Sequence, residues 1–254
     1  MQNAALEALG MSDEWIYDAI EVAAEDFPAR IAALPGDGYV GLNVTIPHKS
    51  LALEVADEVS DAAAAIGATN TLIFADGAVS AENTDAIGVL EATPEPVRSG
   101  RTLVLGAGGV SRAAVWALSG AGSQVSVWNR SPERADELVS TLRVDGPAPV
   151  SVSAEEAEGE NFDLIVNCTA VGMPGRDDDP FEVLPINRET VAGSVVLDLV
   201  YSGVETRLVA ESALAGATAI GGLESLVRQG AESFRLWTGV EPPLDVMREA
   251  ASDD

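Results

Sequence analysis

The sequence predicts an α/β protein in two parts, the second built on a doubly wound parallel sheet. Three observations carry this. Apolar runs alternate with helical patterns through the second half, as in strands covered on both faces. The first of these runs, Thr102–Leu105, leads directly into the glycine-rich stretch Gly106-Ala107-Gly108-Gly109-Val110-Ser111. In the first half the strand patterns are shorter, carry interleaved polar residues and include a hairpin signal at Asp76-Gly77.

Taken in order, Asn3–Leu9 reads as a helix stopped by Gly10. Trp15–Val22 alternates like a strand, and 25–34 is helical, with Phe27, Ile31 and Leu34 at helix spacing. Gly41–Ile46 reads as a buried strand ended by Pro47, which lacks the N–H that a central strand needs. A helix over 51–59 follows, then strands over 68–74 and 78–83 around the turn, and a helix over 86–92. In the second half, strands are expected over 102–105, 124–128, 163–167 and 195–200. Helices are expected over 113–118, 133–142, 207–213 and 223–237, and the acidic stretch 176–180 reads as a loop. The domains divide as residues 1–86, residues 87–222, and C-terminal helices over 223–254 that return to the first domain.

Composition narrows the class. The 254 residues are 47% hydrophobic, enough to bury a core, and no apolar run approaches membrane-span length. The N-terminus lacks a basic region, and one cysteine, Cys168, allows no internal disulfide; both point to the cytoplasm. A single His and a single Cys argue against a metal site. A formal charge of −27 repels phosphate backbones and disfavours nucleic acid. The acids are scattered among periodic segments, so the charge reads as a halophilic-type acidic surface, tolerable where salt screens it.

One stretch stands apart. Asn43-Val44-Thr45-Ile46-Pro47-His48-Lys49 holds the only lysine and the only histidine of the chain, whose other 13 basic residues are arginines. An amine that must give and take a proton cannot be exchanged for a guanidinium, so Lys49 is a candidate acid/base; the alternative is a stray surface lysine. Its place at the carboxyl end of a strand is where α/β sheets bind ligands.

Gly106-x-Gly108-x-x-Ser111 departs from GxGxxG only in its last glycine and has the required strand before and helix after it. Main-chain N–H groups at such a helix start bind a pyrophosphate, the mark of a Rossmann-like domain. After the next strand, an NAD site usually has an acidic residue; this chain has Asn129-Arg130-Ser131-Pro132-Glu133-Arg134. A guanidinium there suits the 2′-phosphate of NADP(H). The alternative is that both arginines are surface residues, Arg134 pairing with Glu133 or Glu137.

With these residues in place, the chain resembles the shikimate dehydrogenase family along its whole length. The motifs are Asn43–Lys49, Ile66–Thr71, Glu82–Asp85, Gly106–Arg112, Asn129–Arg134, Asn167–Met173, Asp198–Tyr201 and Gly222–Gly230. The resemblance implies NADPH-dependent reduction of 3-dehydroshikimate to shikimate, on the route to chorismate and the aromatic amino acids. It implies Lys49 as acid/base with Asp85 as its partner, and Thr45, Asn70, Asp85, Tyr201 and Gln229 as holders of the substrate hydroxyls. For the cofactor it implies Asp61, Gly106, Ala107, Gly108, Gly109, Val110, Asn129, Arg130, Ser131, Arg134, Leu199 and Gly222. Taken alone, Asp85 would be a helix N-cap and Gln229 a polar residue of an amphipathic helix.

The partner implied is a small molecule, with no nucleic acid and no membrane, and a homodimer is allowed. Quinate/shikimate dehydrogenase and a non-catalytic nucleotide-sensing module are the alternatives. Gly203 and Ser225 replace the family's usual proline and methionine. Met1–Ala5 matches a point well inside the family's N-terminus, so the strand and serine pair for the substrate carboxylate would lie upstream. The expectation is that Met1 is a misassigned or truncated start, and that the chain as written binds NADP but oxidises shikimate with a raised KM.

Overall fold

Two sheets of different construction organise the chain. The structure, a computed structural model, describes residues 1–45, 48–176, 178–201 and 203–252. Cα packing divides it into unit 1, Met1–Asp85 with Val227–Asp254, and unit 2, Ala86–Leu226. The expected boundaries at 86 and 222 lie one and four residues away.

Unit 1 holds β1 (Gly41–Asn43), β2 (Glu58–Val59), β3 (Thr71–Ala75) and β4 (Ala78–Glu82) in the order β1-β3-β4-β2. β3 and β4 are antiparallel about Asp76 and Gly77, both at positive φ (52° and 80°), as a two-residue turn between twisted strands requires. Phe27, Ile31, Leu34, Val44, Ala52, Leu72, Phe74 and Ala81 form the core beneath this sheet. The helix Leu244–Ser252 returns to pack on the first helix, Gln2–Ala8.

Two expectations fail here. Trp15–Val22 forms neither strand nor helix. Its alternation is real, yet no strand among the described residues pairs with it. The Asn3 amide takes that place, accepting from Tyr17 N and donating to Tyr17 O, both at 2.8 Å. The helix expected over 51–59 runs instead over Lys49–Glu54. Asp57 exchanges main-chain and carboxylate bonds with Val79, and Glu58–Val59 becomes a parallel edge strand on β4. The stop at Pro47 and the end of the strand at Ile46 lie outside the described residues, as does Asp177 in the expected loop.

Unit 2 holds β5 (Arg101–Leu105), β6 (Gln124–Trp128), β7 (Val150–Ser151), β8 (Leu164–Asn167), β9 (Val195–Asp198) and β10 (Thr218–Ile220). All pairings are parallel, in the order β10-β9-β8-β5-β6-β7. The chain order reverses between β5 and β8, the topological switch point at which such sheets take their ligands. β5, β8 and β9 are buried on both faces because alternate side chains feed two cores. Val104, Val127, Val166 and Leu197 face one, while Leu103, Leu105, Ile165 and Val196 face the other. The expected doubly wound sheet is therefore present. β7 and β10, each three residues or fewer, were not legible in the pattern.

Candidate active site

Unit 1 brings four of the expected residues into one hydrogen-bonded cluster. Lys49 opens the helix Lys49–Glu54, and its Nζ donates to Asp85 Oδ2 at 2.5 Å. Both side chains are mostly buried, 18% and 11% exposed, so the pair is shielded from salt and held in one geometry. Asp85 is the first residue of the helix Asp85–Ala92. Its other oxygen, Oδ1, accepts from Asn70 Nδ2 at 2.9 Å, so each carboxylate oxygen has a donor of its own. Asn70 can turn only one way, because Thr84 N donates to its Oδ1 at 2.7 Å and leaves Nδ2 for Asp85 and for Gln229 Oε1 at 3.2 Å. Asn70 itself is buried, at the entrance to β3.

His48, beside Lys49, does something else. Its ring stacks on Phe27 at 4.7 Å and its Nε2 lies 2.9 Å from Val22 O, which makes it a structural residue of unit 1. Thr45 is exposed and takes part through its carbonyl, which accepts from His48 N at 2.9 Å. Tyr201 belongs to unit 2. Its hydroxyl is buried with no hydrogen-bond partner among the described residues.

In unit 2 the expected cofactor residues gather at the carboxyl ends of neighbouring strands. Gly106 has φ 110°, and a Cβ there would stand 3.1 Å from Cys168 O, so the turn after β5 requires glycine. Gly108 caps the helix Gly109–Gly120, and a Cβ at Gly108 would meet nothing within 4 Å: the space over the turn is open. Ser111, in the place of the third glycine, is buried, and its Oγ accepts from Gly108 N at 3.0 Å.

Gly106 N donates to Trp128 O at 2.7 Å, which sets the turn beside the end of β6, where Asn129–Arg134 follows. Arg130, Ser131 and Arg134 are exposed. Neither guanidinium has a hydrogen-bond or ion-pair partner among the described residues, so Arg134 pairs with neither Glu133 nor Glu137. Gly222 lies against Leu199 and Val200, where a Cβ would come within 2.9 Å of Val200 O, so two further expected residues meet. Asp61 lies in unit 1, exposed at the start of the helix Asp61–Ile66. The open turn, the helix start behind it and two guanidinium groups with no partner among the described residues fit a dinucleotide bearing an extra phosphate.

One network escaped the sequence reading. Asp198, at the end of β9, is fully buried, and burial pushes its carboxyl above the usual aspartate range. Thr206 Oγ1 donates to its Oδ2 at 2.5 Å, and Asn167 Nδ2 (2.8 Å) and Val200 N (3.1 Å) donate to Oδ1. Asn167 in turn accepts from Thr169 N and Oγ1 and donates to Val171 O. Two loops at the carboxyl edge are thereby tied to two strands. The signal was an Asp and an Asn each closing an apolar strand.

Family comparisons agree with this geometry. Residues 1–72 match the shikimate dehydrogenase substrate binding domain, residues 90–201 the shikimate/quinate 5-dehydrogenase model, and residues 222–251 the shikimate 5′-dehydrogenase C-terminal domain. A relative named shikimate dehydrogenase (NADP(+)), from Methanothermobacter thermautotrophicus, is 41% identical over 98% of this chain and 89% of its own length. The chain belongs to the shikimate dehydrogenase family. Among solved structures, the shikimate 5-dehydrogenase of Thermus thermophilus, in complex with NADP(H) and shikimate, is 38% identical. It matches with a TM-score of 0.83 over 99% of this chain and 92% of that one. The shikimate dehydrogenase of Aquifex aeolicus is 35% identical, with a TM-score of 0.87 over 100% and 91%. No helix among the described residues is long and apolar enough to cross a membrane.

Proposed function

We propose that the protein is an NADP-dependent shikimate dehydrogenase catalysing 3-dehydroshikimate + NADPH + H⁺ ⇌ shikimate + NADP⁺. The observation that carries this is the Lys49–Asp85 pair, held at 2.5 Å inside a cluster of amides suited to sugar-like hydroxyls. Reducing a ketone needs a hydride on carbon and a proton on oxygen. The nicotinamide supplies the hydride when bound. Lys49 as ammonium gives its proton to the oxygen that becomes the new hydroxyl; in the reverse direction, as neutral amine, it takes that proton away. Asp85 holds Nζ in place and balances its charge, and Asn70 fixes the carboxylate by donating to its second oxygen.

Asn70, Asp85 and Gln229, with Thr45 and Tyr201, hold the substrate hydroxyls. Gly106–Val110 receive the pyrophosphate, Asn129, Arg130, Ser131 and Arg134 the 2′-phosphate end, and Leu199, Gly222 and Asp61 complete the cofactor contacts. The reaction belongs to the cytoplasm. A sensor of nucleotide alone would need neither Lys49 nor Asp85. Quinate as an additional substrate is the second reading, favoured by the shikimate/quinate model that matches residues 90–201. An assay of shikimate oxidation with NADP⁺, with quinate and NAD⁺ as parallel arms, tests all of this. Turnover of shikimate with NADP⁺ supports the reading, and its absence with every pair overturns it.

A further inference from the structure

The helix Leu223–Thr238 carries Gln229, and one turn later Ser233, which is fully buried. Residues four apart share a helix face, so whatever seats Ser233 also sets Gln229. Ser233 Oγ lies 2.9 Å from Asn43 Nδ2, 2.9 Å from Thr71 Oγ1, 3.1 Å from Thr84 Oγ1 and 3.1 Å from Gln229 O. A hydroxyl has one proton and two lone pairs. It can donate to Gln229 O while accepting from Asn43 and from one of the threonines. These partners come from β1, from β3 and from the residue just before Asp85.

Thr84 Oγ1 also accepts from Asn70 Nδ2 at 3.0 Å, in competition with Asp85 Oδ1 at 2.9 Å. Ser233 therefore sets both the seat of Gln229 and the hydroxyl that shares the Asn70 donor with Asp85. We propose that Ser233 is a positioning residue: through Thr84 and the helix face it shares with Gln229, it fixes the Asn70–Asp85–Gln229 arrangement against which substrate binds. This rests on the reading of Lys49 and Asp85 given above.

The test is Ser233→Ala, with shikimate kinetics at saturating NADP⁺ and NADP⁺ binding measured by fluorescence. Losing one buried hydrogen-bonding hub should raise the KM for shikimate roughly five- to tenfold and leave the NADP⁺ Kd unchanged. A merely structural role would not move KM, because unfolded molecules lower kcat and leave the folded ones as they were. Ile31→Val, in the core of unit 1, serves as the control that loses stability and keeps its KM. A KM within about twofold of the unsubstituted protein overturns the proposal.

Should Ser233→Ala not fold, Ser233→Cys retains the volume and a weak donor. A raised KM in that variant supports the proposal and an unmoved one overturns it; failure of both to fold shows a structural residue instead. Ordinary turnover in Lys49→Ala would strike the reading of the site, and this proposal with it. Lost turnover there with an unmoved KM in Ser233→Ala would strike the proposal alone.

Discussion

Unit 1 and unit 2 place their functional groups by opposite means. In unit 1 the polar side chains are inside: Asn70, Thr71, Thr84 and Ser233 are buried and bonded to one another, and the Lys49–Asp85 pair sits at the edge of that network. In unit 2 the central strands are almost wholly apolar, and the groups proposed for the cofactor stand at the strand ends, with Arg130, Ser131 and Arg134 exposed. The difference follows from the task. An acid/base must keep one orientation from substrate arrival to proton transfer, so it is held on every side. Phosphates need donors whose bonds are still unspent, which solvent-facing guanidinium groups provide.

The sharpest way to break this comparison is at Lys49. Lys49→Ala should lower kcat by roughly 10²–10⁴, the range for a positioned acid/base, with NADP⁺ affinity unchanged. Steady-state turnover and a binding titration on one preparation check both halves. Ordinary turnover would mean that the buried cluster serves stability only. The unit 2 counterpart is Arg130→Ala. An exposed charged donor to phosphate is worth about 1.5–3 kcal/mol, so NADP⁺ should bind about 10- to 100-fold more weakly while NAD⁺ is unaffected. Equal losses for both nucleotides would show that Arg130 supports the loop and not the 2′-phosphate.

The same contrast explains what could be read in the sequence. The cofactor side was legible because its residues are contiguous: a strand, a glycine turn and a helix start within 101–112, then Asn129–Arg134 after the next strand. The proposed catalytic side is assembled across the chain. Lys49 and Asp85 are 36 residues apart, and Asn70 and Gln229 are 159 apart, so no local period connects them. Lys49 declared itself by being the sole lysine, whereas Asp85 and Gln229 came from resemblance to a family. Ser233 carried no signal, since a serine on an amphipathic helix is ordinary until its neighbours are known. Trp15–Val22 misled for a related reason: alternation reports which face is buried and says nothing of whether a partner strand is there.

A smaller effect is expected from the surface. Of the 14 basic residues, Arg30, Lys49, Arg101, Arg188, Arg207, Arg235 and Arg248 already pair with acids, and the 41 acidic residues far outnumber them. The excess should be felt as repulsion in dilute buffer and be screened in molar KCl. The melting temperature should therefore rise with KCl. A flat dependence would show that the acidic surface is no adaptation to salt.

The smallest effect concerns Asp198, the one buried acid of unit 2's sheet. Burial raises the Asp198 carboxyl above its unfolded value, opposed by the bonds from Thr206, Val200 and Asn167. The folded state thus holds its proton to higher pH than the unfolded chain does. The corresponding stability is fully present below the unfolded value, about 3.9, and is lost as pH rises through the folded one. Asp198→Asn has the same shape. Its carbonyl oxygen can accept from Asn167 Nδ2 and Val200 N, and its amide can donate to Thr206 Oγ1. At acid pH the two proteins should therefore be equal in stability to within about 1 kcal/mol, the worth of a single hydrogen bond. As pH rises toward neutrality the asparagine protein should gain relative to the parent, because it has no charge to bury. Urea unfolding at a series of pH values measures the difference. If the parent instead gains on the variant as pH rises, the three donors outweigh burial, and Asp198 is an ionised tie between the two loops at the carboxyl edge.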